Sequence, residues 1–118
     1  MTFMKEWEAI LAETNAFADK LKSTEVFKEY RSAAEALQKR PEWKALADHF
    51  REERYRVYDS FKEPTGFTAL EELEEKHEKL AMYPEIERYL RAETAVCRVL
   101  QRIQDVLVQA ADLEMDME

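Results

Sequence analysis

The stretch that decides the fold is residues 83–113, YPEIERYLRAETAVCRVLQRIQDVLVQAADL. It has no glycine, and its one proline, Pro84, stands in the first turn, where a missing N–H is tolerated. Apolar residues recur every seven positions, which is typical of a helix packed along its whole length. The three apolar columns are Ile86, Leu100 and Leu107; Tyr89, Val96, Ile103 and Ala110; and Val99, Val106 and Leu113.

The length of this helix predicts that it extends beyond its own domain. A helix of about 28 residues is roughly 42 Å long. A compact chain of 118 residues has a diameter of roughly 35 Å. The third column widens the apolar surface towards the C-terminal end, so we expect that end to need a partner.

The composition predicts an all-α protein, because good helix formers dominate and the chain has one glycine and three prolines. We predict a single helical domain over residues 1–118, a bundle or array of about five helices with a long C-terminal helix. The first three helices are predicted at about Thr2–Lys22, Glu25–Lys39 and Pro41–Lys62, and the fourth opens with a capping box, Thr68 to Glu71. The apolar stripe of the first helix is predicted to face inward through Phe3, Trp7, Ile10, Leu11, Phe17 and Leu21.

The charge and the cysteine count exclude several classes of protein. A net charge of −8 repels nucleic acid phosphate, so a nucleic-acid partner is not expected. Cys97 is the single cysteine, which excludes an intramolecular disulfide and a multi-cysteine metal site within one chain. Early charges such as Lys5 and Glu6 do not fit a signal peptide, and no uncharged run approaches a membrane span. We predict a cytoplasmic protein that does not enter the membrane.

Two histidines offer candidate metal or enzyme chemistry. Glu74 and His77 have the spacing of one half of a carboxylate-bridged di-iron site, but His49 has no matching glutamate three residues before it. We therefore predict no metal, cofactor or catalytic residue, and expect Cys97 to behave as a small buried hydrophobe in its helix. A metal-binding helical bundle or enzyme using His49, Glu74 and His77 stays open as an alternative.

A second alternative is weak RNA binding through the segment Lys39–Arg56. Six basic residues stand there against four acidic ones, with aromatic residues between them. The favoured interpretation is a solvated helix surface with ion pairs between neighbouring turns.

Glu93 interrupts the column of Ile86, Leu100 and Leu107. A buried carboxylate is costly unless it is paired or hydrogen-bonded. We predict that Glu93 is buried and pairs with an arginine or tyrosine of a neighbouring helix.

A homodimer is predicted, because the widened apolar end of the last helix exceeds what one neighbouring helix can cover, and a two-fold contact is the commonest way to bury such a surface. The predicted interface, to a second copy or another protein, is Phe3, Trp7, Val99, Ile103, Val106, Leu107, Ala110 and Leu113.

The chain resembles the YlbF/YmcA/YheA family of small helical bacterial proteins. The resemblance rests on helix openings, Ser23-Thr24-Glu25, Pro41-Glu42 and Tyr83-Pro84-Glu85-Ile86, together with Tyr30, Ala33-Ala34, Phe50, Tyr89, Ala92-Glu93, Leu100, Ile103 and Leu107. It implies an all-helical, usually dimeric protein without enzymatic activity. It further implies a regulator of competence, sporulation and biofilm development, in some members through messenger RNA processing by a membrane-anchored endoribonuclease.

Overall fold

The computed structural model describes residues 2–59 and 66–112, and every regular element in them is an α-helix. The all-α prediction with a long C-terminal helix is confirmed. The five helices are α1 (Thr2–Lys22), α2 (Glu25–Gln38), α3 (Pro41–Asp59), α4 (Gly66–Leu80) and α5 (Pro84–Ala111).

The predicted starts of α1, α2, α3 and α5 are confirmed, and α2 ends at Gln38, one residue before the predicted Lys39; the predicted start of α4 is wrong. That helix begins at Gly66, two residues before Thr68. Because Thr68 lies inside the first turn, the prediction that it caps the helix is wrong. The predicted end of α3, Lys62, lies outside the described residues.

The two hydroxyls at the junction between α1 and α2 bond to the end of α1 and do not cap α2. Thr24 occupies the N-cap position of α2 with extended backbone, but its side chain makes no capping hydrogen bond there. Its Oγ1 instead donates to the carbonyl of Leu21 at 2.7 Å, and Ser23 Oγ donates to the carbonyl of Lys20 at 2.8 Å. The hydroxyls therefore satisfy the last carbonyls of α1, which a helix leaves unpaired.

The core is assembled around the N-terminal half of α5, which packs mainly against α2, while α3 packs mainly against α4. Ile86 is fully buried, as its place in the first apolar column requires. The buried apolar cluster is Ala33, Leu37, Ala47, Phe50, Leu73, Ile86, Tyr89, Leu90 and Ala92.

Helix α1 lies apart from this core. It has no buried residue, and its main packing is against α2. The radius of gyration is 18.3 Å, well above the roughly 13–14 Å of a compact chain of this length. The prediction that the stripe of α1 faces inward is therefore wrong for the single chain: helical spacing places apolar residues together but does not supply a neighbouring surface.

Charged side chains occur on all five helices. Within residues 2–59 and 66–112, no helix combines the length and the apolar character that a membrane span requires.

A tyrosine pair joins α2 to α5 at the edge of the core. The rings of Tyr30 and Tyr89 lie 5.6 Å apart, and their hydroxyls share a hydrogen bond of 3.4 Å. Burial, reinforced by the hydrogen bond with Tyr30, raises the pKa of Tyr89 above its ordinary value of 10.0.

This shift predicts an alkaline loss of stability. The unfolded chain releases the Tyr89 proton at a lower pH than the folded protein does. The raised pKa therefore contributes fully to the free energy of unfolding below about pH 10. This contribution is lost as pH rises towards the folded-state pKa, by about 1 kcal/mol per pH unit. Urea unfolding at pH 8 and pH 11 should show a smaller loss for Tyr89→Phe than for the parent. Tyr55→Phe, at a 76% exposed position, is the control and should lose as much as the parent. Equal losses for all three proteins would contradict the assignment.

Candidate functional site

The most unusual surface of the protein is the apolar side of α1. Its large apolar side chains are between 43% and 73% exposed, although monomeric soluble proteins rarely show large contiguous apolar patches. Their spacing of three and four residues places them on one side of the helix. We call this set the α1 surface; it consists of Phe3, Met4, Trp7, Ile10, Leu11 and Phe17.

The C-terminal half of α5 adds further exposed apolar residues. Val96 is the last buried residue of the helix, and beyond it Leu100, Val106 and Leu107 are 46%, 56% and 64% exposed. The helix continues for 15 residues past Val96, to Ala111. This half of α5 therefore extends from the core with an apolar side.

The eight residues predicted as an interface divide into three groups. Five of them are exposed: Phe3, Trp7, Val106, Leu107 and Ala110. Val99 and Ile103 are half-buried. Leu113 lies outside the described residues. Ile10, Leu11 and Phe17 were predicted to face inward, and no prediction was made for Met4. The seven-residue spacing of Phe3, Ile10 and Phe17 was the signal that these three share one side of the helix.

Glu93 is the one buried charged residue among those described, at 6% exposure. It lies one turn of α5 beyond Tyr89 and meets two arginines of α3. Arg54 donates a hydrogen bond of 2.6 Å from Nη2 to Oε1, and Arg51 Nε forms an ion pair of 2.5 Å with Oε2. We call Glu93, Arg51, Arg54, Tyr30 and Tyr89 the Glu93 cluster.

Arg51, the other arginine of the cluster, interacts with Glu93 through its charge. Its Nε makes no aligned hydrogen bond, and its guanidinium lies 5.7 Å from the centre of the Tyr89 ring. Burial by itself would lower the pKa of Arg51, but the charge of Glu93 and its other neighbours outweigh burial and raise that pKa. Arg51 therefore stays charged, and the cluster ties α3 to α5 and, through Tyr30, to α2.

The three candidate residues His49, Glu74 and His77 do not share one site. Glu74 and His77 line a cleft of about 480 Å³ between α3, α4 and α5, and His49 is not among its lining residues. His77 stacks on Phe50, with ring centres 5.5 Å apart, and His49 Nδ1 lies 3.1 Å from Glu53. In the part of the chain that is described, no group of three or more His, Cys, Asp or Glu side chains could hold a metal ion.

Cys97 is exposed, so the prediction of a buried thiol is wrong. Cys97 lies seven residues after buried Leu90, on the same side of α5, but it comes after Val96, the last buried residue of the helix.

The segment Lys39–Arg56 carries little free positive charge. Five of its six basic residues lie within 4 Å of a carboxylate: Arg40 with Glu85, Lys44 with Asp48, Arg51 and Arg54 with Glu93, and Arg56 with Glu52. Such pairing leaves a mostly neutralised surface, which gives phosphate little to bind.

Comparison with known proteins identifies the family of the chain. A family model described as "Control of competence regulator ComK, YlbF/YmcA" matches residues 10–111. The chain belongs to this family. A UPF0342 protein of Caldicellulosiruptor saccharolyticus is similar, with 24% identity over 102 residues, 85% of each chain. No solved structure matches significantly. Membership of the YlbF/YmcA family supports a regulatory role.

The Glu93 cluster gives a stability prediction. Glu93→Gln should lower the free energy of unfolding by about 2 kcal/mol; the 3–5 kcal/mol of a fully buried pair is reduced because the two arginines are 39% and 28% exposed. Glu52→Gln, in a pair that is about 70% exposed on both sides, should change it by less than about 0.5 kcal/mol. Urea unfolding measures both. Equally small effects would mean that the cluster is not a structural link.

Proposed function

We propose that this protein is a cytoplasmic regulatory adaptor that acts through protein–protein contacts and not by catalysis. The observation that carries the proposal is the α1 surface, six large apolar side chains on a helix that the core of its own chain does not bury. Exposed apolar patches of this kind mark interaction sites. Membership of the YlbF/YmcA family supports the regulatory part of the proposal.

We further propose that the first partner is a second copy of the chain. At ~150–250 Å² for each fully exposed large side chain, the α1 surface with Leu100, Val106 and Leu107 leaves on the order of 900 Å² of apolar surface exposed. An interface of standard size buries about 800 Å² on each partner. The two surfaces together therefore expose about as much apolar area as one partner contributes to a standard interface.

The pathway is proposed from the family. YlbF-type regulators act in competence, sporulation and biofilm development, and some influence messenger RNA processing by a ribonuclease. We propose the same link here, with the protein bringing other proteins together and the ribonuclease performing the chemistry. A net charge of −8 suits contacts with proteins more than with RNA.

The surroundings of the titratable side chains support a non-catalytic role. His77 stacks on Phe50, His49 pairs with Glu53 of its own helix, and Cys97 is exposed beyond the buried part of α5. A nucleophile needs a base within hydrogen-bonding distance, held by a third group. The described residues offer no such arrangement around Cys97.

Complementation of a deletion strain of the native bacterium tests this proposal. The combined variant His49→Ala, His77→Ala, Cys97→Ala should restore the transcript-processing pattern, read by sequencing RNA ends, because these side chains carry no chemistry. Trp7→Asp should fail to restore it, since it places a charge on the α1 surface, whereas Glu75→Gln on the exposed side of α4 is the matched control and should restore it.

Circular dichroism of each purified variant shows whether the fold is kept. If the folded triple variant fails, the non-catalytic proposal is wrong. If Trp7→Asp restores regulation fully, the α1 surface is not the contact that matters.

A further inference from the structure

The pattern of α1 specifies how a second copy would cover it. The helix has 21 residues, about 31 Å, and its side chains are exposed except those of Ala18 and Leu21, which are half-buried. Two alternating positions, spaced three and four residues apart, form the central stripe of a coiled coil. One series is Phe3, Ile10 and Phe17, the other is Trp7, Thr14 and Leu21, and a third series, Met4, Leu11 and Ala18, widens the stripe on one side.

We propose that two copies of the chain pair through α1 in antiparallel orientation, with the two-fold axis crossing near residue 12. This inference rests on the homodimer proposed above. In that register Phe3 meets Leu21 of the second copy, Trp7 meets Phe17, and Ile10 meets Thr14. Each end of the helix thus packs a large side chain against an apolar residue of the opposite end.

Thr14 is the one polar residue in the central stripe, and the structure shows how it can be buried. Its Oγ1 donates to the carbonyl of Ile10 at 2.7 Å, within the same helix. A buried hydroxyl without a partner costs free energy, and this one already has its donor satisfied. Its methyl group is left to face Ile10 of the second copy.

The flanking positions also favour the antiparallel orientation. On the wide side Leu11 meets its own copy at the axis and Met4 meets Ala18, a large side chain against a small one. On the opposite side Glu6 of one copy faces Lys20 of the other. Parallel pairing would place Glu6 beside Leu11 and Glu13 beside Ala18, with no opposite charges paired.

One contact opposes the pairing. Glu13 of each copy meets Glu13 of the other near the axis, on the rim of the interface. Exposed like charges cost a fraction of a kcal/mol in water, similar to the gain from each Glu6–Lys20 contact, of which the two-fold axis produces two.

Crosslinking distinguishes the orientations. Two variants are made in a Cys97→Ala background, Leu11→Cys and Phe3→Cys, both at exposed positions of α1. In the antiparallel pair the two copies of position 11 face each other, whereas the two copies of position 3 lie about 27 Å apart along the axis. A short bismaleimide should therefore join Leu11→Cys chains in high yield and leave Phe3→Cys chains largely unjoined. The Cys97→Ala parent, with no thiol, is the blank.

A charge exchange gives an independent readout. Glu6→Lys should raise the dimer dissociation constant roughly five- to tenfold by sedimentation, and adding Lys20→Glu in the same chain should restore it. Crosslinking of Phe3→Cys chains that equals or exceeds that of Leu11→Cys chains means parallel pairing and overturns the proposal. A dimer by light scattering in which neither position crosslinks shows that α1 is not the paired helix, while the homodimer stands. A monomer at tens of micromolar protein removes the homodimer as well, and leaves the adaptor proposal to the complementation test.

Discussion

The contact between the N-terminal half of α5 and α2 is the interaction on which the rest of the structure depends. Ile86, in the first turn of α5, is fully buried, and the ring of Tyr89 packs against Tyr30 of α2. Helix α3 joins the same side of α5 through the two arginines on Glu93. The core therefore occupies only the first half of a 28-residue helix. The remainder of α5, and all of α1, extend beyond it.

This division separates stability from interaction. Residues such as Phe50 and Leu90 are buried by the chain itself and hold the helices together. Residues such as Trp7 and Leu107 are large and apolar, yet the single chain leaves them exposed. The proposed regulatory role fits this arrangement, because a contact surface can be gained or lost without unfolding the core.

The sequence predicted the elements well because helix formation is governed by local patterns. Pro84 and the seven-residue spacing after it predicted where α5 begins. The predicted bounds of α1, Thr2–Lys22, are those observed. The capping-box pattern at Thr68 gave the wrong start for α4, because the same residues are compatible with a helix that begins earlier, at Gly66. The direction in which α1 faces could not be predicted, because periodicity states which side chains share a side but not which neighbour covers them.

The Glu93 cluster was predictable in kind but not in detail. The cost of an unpaired buried carboxylate leads to an arginine or tyrosine partner whatever the fold. Choosing Arg51 and Arg54 from the other arginines requires the crossing of α3 and α5, which no local pattern contains. The exposure of Cys97 was not predicted for a similar reason: it shares a side of α5 with buried Leu90, and no local pattern shows that the neighbouring helices stop covering that side after Val96.

The central claim is that a second copy covers α1 and holds it in place. Hydrogen exchange, measured by mass spectrometry at protein concentrations well below and well above the dimer dissociation constant, tests it directly. The account predicts that amides of α1 become more protected as concentration rises, while amides of α2 and of the first half of α5 keep the same protection at both concentrations. Protection of α1 that does not change with concentration, in a range where light scattering shows the mass doubling, would contradict it.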